Sequence, residues 1–320
     1  MIDSLQSLVA QTGPRLKLRW LTPAPSTPRT LHADDPGGSR QSLIGSLNCI
    51  HPNRLQVIGQ AELAYLANLG RTAYTETVEK LFADQPSAVI FSDDIRPESA
   101  IREAAEQTQT PLLGSSLGDE ELINHLRYFL THALAERRTL HGVFIEVLGM
   151  GVLLVGDPAV GKSELALDLI ARGHRLIADD APRFARISPE TLEGTCPEAL
   201  RDFLEVRGLG ILNIRAMFGE GAVVRSKTLN LIIDLQPLDQ RQIECIDRLS
   251  GSLSVRNILG VAVPKITMPV APGRNLAILV EAAVRHQILR IRGYDAGVDF
   301  IERQARAISV DRPDPPAAPS

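Results

Sequence analysis

Residues 156–163 read Gly156-Asp157-Pro158-Ala159-Val160-Gly161-Lys162-Ser163. The spacing is that of the phosphate-binding loop: a glycine, four residues, then glycine, lysine and a hydroxyl residue. Each position has a physical reason. The glycines let the backbone wrap an anion so that successive N–H groups point inward. A helix beginning near Lys162 would add the positive end of its dipole. Lys162 offers a mobile charge to β- and γ-phosphates, and Ser163 offers a hydroxyl to Mg²⁺. The apolar run 152–155 precedes the loop and an amphipathic run, 163–172, follows it before Gly173. Strand, glycine loop and helix in that order predict an α/β fold that binds a nucleotide or another phosphate at the sheet edge.

Working outward, 143–148 and 152–155 read as two strands of a hairpin around Gly149-Met150-Gly151. The run 174–178 reads as a strand that delivers Asp179 and Asp180 at its carboxyl end, where ligands bind in open α/β sheets. Adjacent carboxylates point in different directions, so one can face the phosphates while the other anchors structure. Asp180 is taken as the base, although the sequence alone does not rank the two. A further apolar strand is expected at 229–235. The stretch Leu204-Glu205-Val206-Arg207-Gly208-Leu209-Gly210-Ile211-Leu212-Asn213 places Glu205 and Arg207 on one face if extended, and Gly208 and Gly210 permit close backbone approach.

Length suggests one large domain or two medium ones, and the motifs divide the chain into two blocks and a tail. Residues 1–130 are read as an α/β N-terminal domain for assembly or regulation, 131–310 as the phosphate-loop catalytic domain, and 311–320 as a disordered Pro-rich tail. In the first block a strand at 56–58, a helix at 61–69, a strand at 88–91, a helix at 97–107 and a strand at 110–113 include a βαβ unit. The Pro/Gly/Ser-rich segment 26–40 reads as loop, and 120–137 as an amphipathic helix.

Composition narrows the function. Lys plus Arg number 34 against 38 Asp plus Glu, a net charge of −4. That balance does not provide the basic footprint of a nucleic-acid binder. The most apolar stretch, 143–156, is interrupted by Glu146 and falls short of a membrane span. The first residues, MIDSLQSLVAQTG, lack the basic start of a secretory signal. Cys49, Cys196 and Cys245 are an odd, widely spaced set without a metal-ligand pattern, as expected in a reducing, cytoplasmic setting.

Three stretches in order, HGVFIEVLGMGVLLVGDPAVGKSELALDLIARGHRLIADD (141–180), LEVRGLGILNIRAMFG (204–219) and VPKITMPVAPGRNLA (263–277), resemble the HPr kinase/phosphorylase family. The resemblance is dense over 139–300. It implies a phosphate-loop kinase domain and a smaller α/β N-terminal domain. It further implies an ATP- and Mg²⁺-dependent enzyme that phosphorylates a serine of the phosphocarrier HPr. The reverse activity would use inorganic phosphate and release pyrophosphate, and the chain would form a homo-hexamer. By the same resemblance Lys162 is the loop lysine, Ser163 and Glu205 are Mg²⁺-associated, and Asp180 is the acid/base. His141 would lie beside that carboxylate and Arg248 near the transferring phosphoryl group. Residues 204–213 would serve both reactions. Pro269, Val270, Ala271, Pro272, Gly273 and Arg274 would serve dephosphorylation. In this sequence Asp247-Arg248-Leu249 is followed by Ser250-Gly251, where the family places glycine one residue earlier.

The chemistry also stands on the residues. Phosphoryl transfer asks a protein for positioning, charge neutralisation and a group to handle the hydroxyl proton. Competing readings are a nucleotide-hydrolysing switch, a small-molecule kinase and an inactive nucleotide-sensing scaffold. A guanine-specific switch would want [NT]-K-x-D, which does not occur here. A scaffold has no need of Lys162, Ser163 and Asp180 together.

Overall fold

The computed structural model describes residues 4–31, 43–48, 53–83, 85–237, 253–271 and 273–310. Cys49, Cys245, Arg248, Pro272 and the expected tail lie outside them. The chain divides into two units, Met1–Ala135 and Glu136–Ser320.

In the second unit the phosphate loop follows the strand Met150–Gly156, the centre of a nine-stranded mixed sheet. This strand pairs antiparallel with Val143–Val147 and parallel with Ser226–Pro237. Val143–Val147 then pairs antiparallel with Arg175–Ala178. Strand Val261–Val270 runs parallel to the far half of Ser226–Pro237 and carries Leu253–Ile258 along its other edge. The near half of Ser226–Pro237 pairs with Thr191–Thr195, then Arg183–Ser188, then Arg137–Thr139. One face is covered by the helices Lys162–Ala171 and Leu276–Ile291, whose Leu165, Leu169, Val280 and Val284 meet Val152, Leu154, Leu231 and Ile233. The other face buries Phe144, Leu153, Val155 and Ile232 against Phe184 and Leu192. Covered on both sides, the central strand is apolar throughout rather than alternating.

The first unit is a second α/β layer. Ile44–Ser46, Leu55–Ile58, Ala88–Phe91 and Leu112–Gly114 are parallel, and Arg19–Trp20 adds an antiparallel edge. Apolar residues of Leu5–Leu16 and Asp119–Leu134 cover one face, and those of Arg71–Ala83 and Ser99–Gln107 the other. Neither the first of these helices nor Arg71–Ala83 was expected from the sequence.

Several boundaries differ from the sequence reading. The expected helix 120–137 stops at Leu134, because Ala135 turns extended (φ −54°, ψ 134°). The Glu136 carbonyl then accepts from Arg186 N, starting the edge strand Arg137–Thr139. The hairpin turn is only Leu148-Gly149, both at positive φ (52° and 84°). Two such residues match the right-handed twist of the strands they join, so Met150 and Gly151 belong to the strand.

One charged cluster lies within this sheet. Glu146, only 8 % exposed, takes two oxygens' worth of hydrogen bonds from Arg175 (2.6 and 2.7 Å to Nη2) and an ion pair from Lys227 at 3.0 Å. Burial would raise its pKa, but Arg175 and Lys227 more than offset this and hold it below the usual 4.5. Stability from a depressed carboxylate is present above its unfolded pKa and lost as pH falls through the folded one. Glu146→Gln should therefore destabilise unit 2 by about 2 kcal/mol at pH 7, the usual cost of breaking a buried pair being reduced because both cations reach solvent. In urea melts the gap from wild type should narrow below pH 4.5. An equal gap at pH 7 and pH 3.5 would contradict this.

Candidate active site

The phosphate loop owes its shape to its left-handed residues. Gly156, Ala159 and Gly161 have φ of 146°, 67° and 96°. Gly156 is also pressed against the neighbouring strand: a Cβ there would lie 2.4 Å from the Leu235 carbonyl oxygen. At Gly161 there is open space, so only its backbone conformation requires glycine. Lys162–Ala171 starts immediately afterwards, and Gly161 caps it without a side chain, leaving first-turn N–H groups for an anion. Lys162 Nζ donates to the Gly156 and Asp157 carbonyls at 3.0 and 2.9 Å. An ammonium has three donors, so one is left for a phosphate oxygen.

The two aspartates separate cleanly. Asp180 sits at φ 61°, a left-handed position that Asp tolerates better than most side chains. Its Oδ1 lies 2.8 Å from His141 Nδ1. Asp179 is used internally: Oδ1 accepts from Asp180 N at 3.0 Å and Oδ2 from Glu205 N at 2.8 Å. Burial raises the Asp179 pKa, against the lowering effect of those two backbone donors. Both aspartates line the cleft, but only Asp179 has both of its oxygens committed to backbone donors.

His141 reaches Asp180 because the chain after Arg137–Thr139 is stitched to the aspartate turn. Leu140 N donates to the Pro182 carbonyl at 3.1 Å and Gly142 N to the Asp180 carbonyl at 3.3 Å. Gly142 (φ 142°) leaves no room for a side chain, since a Cβ would meet the Leu154 carbonyl oxygen at 2.4 Å.

Glu205 is on Phe203–Val206, the first strand of a small hairpin with Gly210–Asn213. Arg207 is not on that strand but in the turn beyond it, where Leu209 N donates to the Val206 carbonyl. Both nonetheless line one cleft of about 220 Å³ with His141, Gly142, Pro158, Ala159, Gly161, Lys162, Ser163, Glu164, Asp179 and Asp180. Leu204 and Val206 point the other way into the core. Gly208, Leu209, Gly210, Ile211, Leu212 and Asn213 complete the hairpin without lining the cleft, and Asn213 caps the next helix by accepting from Ala216 N. Gly156, Asp157 and Val160 belong to the loop but do not line the cleft.

Of the expected dephosphorylation segment, Pro269 and Val270 lie on the same sheet edge, and none of the described residues 269–271, 273 and 274 lines the cleft. Leu235 pairs with Gly156 on one side and Met268 on the other, so Pro269 begins two strands, about 10 Å, from the loop. Val270 ends its strand, and Arg274 N bonds to the Ala271 carbonyl. Gly142 and Glu164 are cleft residues that sequence reasoning did not single out; Gly142, beside a histidine at a strand start, was the available clue.

Both units match known proteins of one family. The HPr Serine kinase C-terminal domain model matches residues 132–304, and the HPr Serine kinase N terminus model matches 4–130. The HPr kinase/phosphorylase of Xanthomonas axonopodis pv. citri (strain 306) is 46 % identical over 309 residues, 96 % of this chain and 98 % of that protein. That of Xylella fastidiosa (strain M12) is 46 % identical over 295 residues, 92 % of this chain and 93 % of that one. The solved Hpr(Ser) kinase/phosphatase of Coxiella burnetii is 38 % identical and covers 51 % of this chain and 98 % of its own, with a TM-score of 0.45. Among the described residues no helix is long and apolar enough to cross a membrane. The chain is an enzyme of the HPr kinase/phosphorylase family.

Proposed function

We propose that this protein transfers the γ-phosphoryl group of ATP to a serine hydroxyl of HPr in the cytoplasm. We also propose that it removes the group with inorganic phosphate, releasing pyrophosphate. The observation that carries the reading is the Asp180–His141 pair facing the same cleft as Lys162 and Ser163. Both side chains of the pair are open, 64 % for His141 and 71 % for Asp180, so a protein-borne serine can reach them.

The residues fit nucleotide and magnesium. Mg²⁺ wants hard oxygen donors and keeps waters and phosphate oxygens, so one or two protein ligands suffice. Ser163 and Glu205 offer such oxygens from one cleft, while no three His, Cys, Asp or Glu form a ready cage among the described residues. Bound Mg²⁺ would supply neutralisation of phosphate charge. Lys162 and the loop N–H groups hold the phosphates in line. Asp180 accepts the serine proton as the oxygen attacks, and returns it when that oxygen leaves. His141 orients the carboxylate. Arg248 is assigned to the transferring phosphoryl group, 204–213 to both reactions and 269–274 to dephosphorylation.

Asp179 acts through the Glu205 backbone. Asp179→Ala should weaken the apparent Mg²⁺ affinity about tenfold, the worth of one charge-assisted hydrogen bond, with nucleotide affinity measured without metal unchanged. An unaltered Mg²⁺ titration would show that the Glu205 strand needs no such tether.

Homo-hexamer formation is part of the reading. It is supported by apolar side chains left exposed on the last two helices, including Ile278, Ile291, Val298 and Ile301. The test of the activity is incubation with HPr, labelled ATP and Mg²⁺. Label on a serine of HPr is expected; nucleotide consumption with HPr unlabelled would move the acceptor to a small molecule.

A further inference from the structure

A second and larger cavity, about 570 Å³, opens elsewhere in the catalytic unit and shares no lining residue with the cleft. Its walls come from the strand Arg175–Ala178, the segment after Thr195, the helix Ile214–Phe218 and residues 220–226. The size is that of a small-molecule site.

The chemistry of the walls is asymmetric. Three arginines line it, Arg201, Arg215 and Arg225, against two carboxylates, Asp202 and Glu220. Arg215 already holds both acids, with Nε 3.0 Å from Asp202 Oδ2 and Nη1 3.3 Å from Glu220 Oε1. That Nε is buried and off line for a hydrogen bond, so it remains an unsatisfied donor. Arg201 is engaged by Glu198 from outside the cavity. Arg225 makes no ion pair or hydrogen bond among the described residues. The acids are therefore neutralised from within, while the exposed Arg225 lines the cavity with all its donors unpaired. Ile177, Val223 and Val224 give the remainder an apolar lining. Burial pushes the Cys196 thiol up to about 11, so it adds a neutral wall and not a competing anion.

We infer that this cavity is a binding site for a small organic anion, one phosphate or carboxylate on a compact carbon body. The anionic group is held by Arg225, and the carbon body lies on Val223, Val224 and Ile177. The site is separate from the phosphate loop, and it does not depend on which acceptor the cleft serves.

The test is calorimetric titration of the full chain, in metal-free buffer, with citrate and with glycerol 2-phosphate. The two probes separate a carboxylate ligand from a phosphate ligand. Saturable binding of at least one is expected. It should weaken about tenfold in Arg225→Ala, as for loss of one charge-assisted contact, less in Arg225→Lys, and stay unchanged in Lys162→Ala. Arg225 is exposed and unbonded, so its substitution leaves the fold intact. No saturable binding by either probe up to about 10 mM would overturn the assignment. So would binding indifferent to Arg225→Ala, or weakened as much by Lys162→Ala, which would place the anion in the phosphate loop.

Discussion

Asp180→Asn is expected to lower phosphoryl transfer to HPr about 1,000-fold, within the range for loss of a general base. Nucleotide affinity should stay within about twofold. The substitution is a clean one for three reasons. Asparagine is isosteric with aspartate, it accepts the left-handed backbone at φ 61°, and its carbonyl oxygen can still accept from His141 Nδ1. What disappears is the ability to take a proton. Single-turnover transfer and equilibrium nucleotide binding, measured on the same protein, separate the two effects. Transfer within tenfold of wild type would place the base elsewhere, and Asp179 would not be the replacement. Both of its oxygens are already committed to Asp180 N and Glu205 N.

Lys162→Ala should act on binding and rate together. Its Nζ sits over the loop on the Gly156 and Asp157 carbonyls and carries the mobile cation of the cleft floor. Alanine suits the first turn of a helix, so Lys162–Ala171 and its packing should survive. Removing one preorganised donor aimed at developing charge lowers turnover by about 100-fold or somewhat more. Nucleotide affinity should fall about tenfold as one charge-assisted bond is lost. Because the interaction exists in the ground state and strengthens in the transition state, kcat/KM should fall more than the nucleotide Kd rises. Survival of both would mean that the loop does not grip phosphate.

Much of this site was legible because its signals are local. The strand–loop–helix around 156–163 is contiguous, and both of its glycines have local or nearest-strand reasons to be glycine. The Arg175–Ala178 strand ending in two aspartates could be read from one apolar run. What could not be read depended on pairs distant in sequence. Ranking Asp179 against Asp180 needed the bond to Glu205 N, and placing Arg207 needed the turn that follows Val206. The meeting of His141 with Asp180 came from family resemblance, since its physical cause is the pairing of Arg137–Thr139 with Arg183–Ser188. That edge strand was itself not expected, and its first residue, Arg137, was read as the end of a helix. The strands Arg183–Ser188, Thr191–Thr195 and Leu253–Ile258 gave no usable signal either, being short or polar on an exposed face.

One carboxylate, Asp180, is proposed to serve both directions. In the mechanism we propose, the serine oxygen gives up a proton beside Asp180 in kinase action and takes one back at the same place in phosphorolysis. The most direct test is pyrophosphate release from phosphoseryl-HPr and inorganic phosphate, comparing wild type with Asp180→Asn alongside ATP-dependent transfer. The two reactions use different phosphate donors and acceptors, so no equilibrium constraint ties their rates. Losses of similar size in both, about 1,000-fold, are expected. A variant that loses transfer but keeps pyrophosphate release would contradict the account and require a separate acid for dephosphorylation.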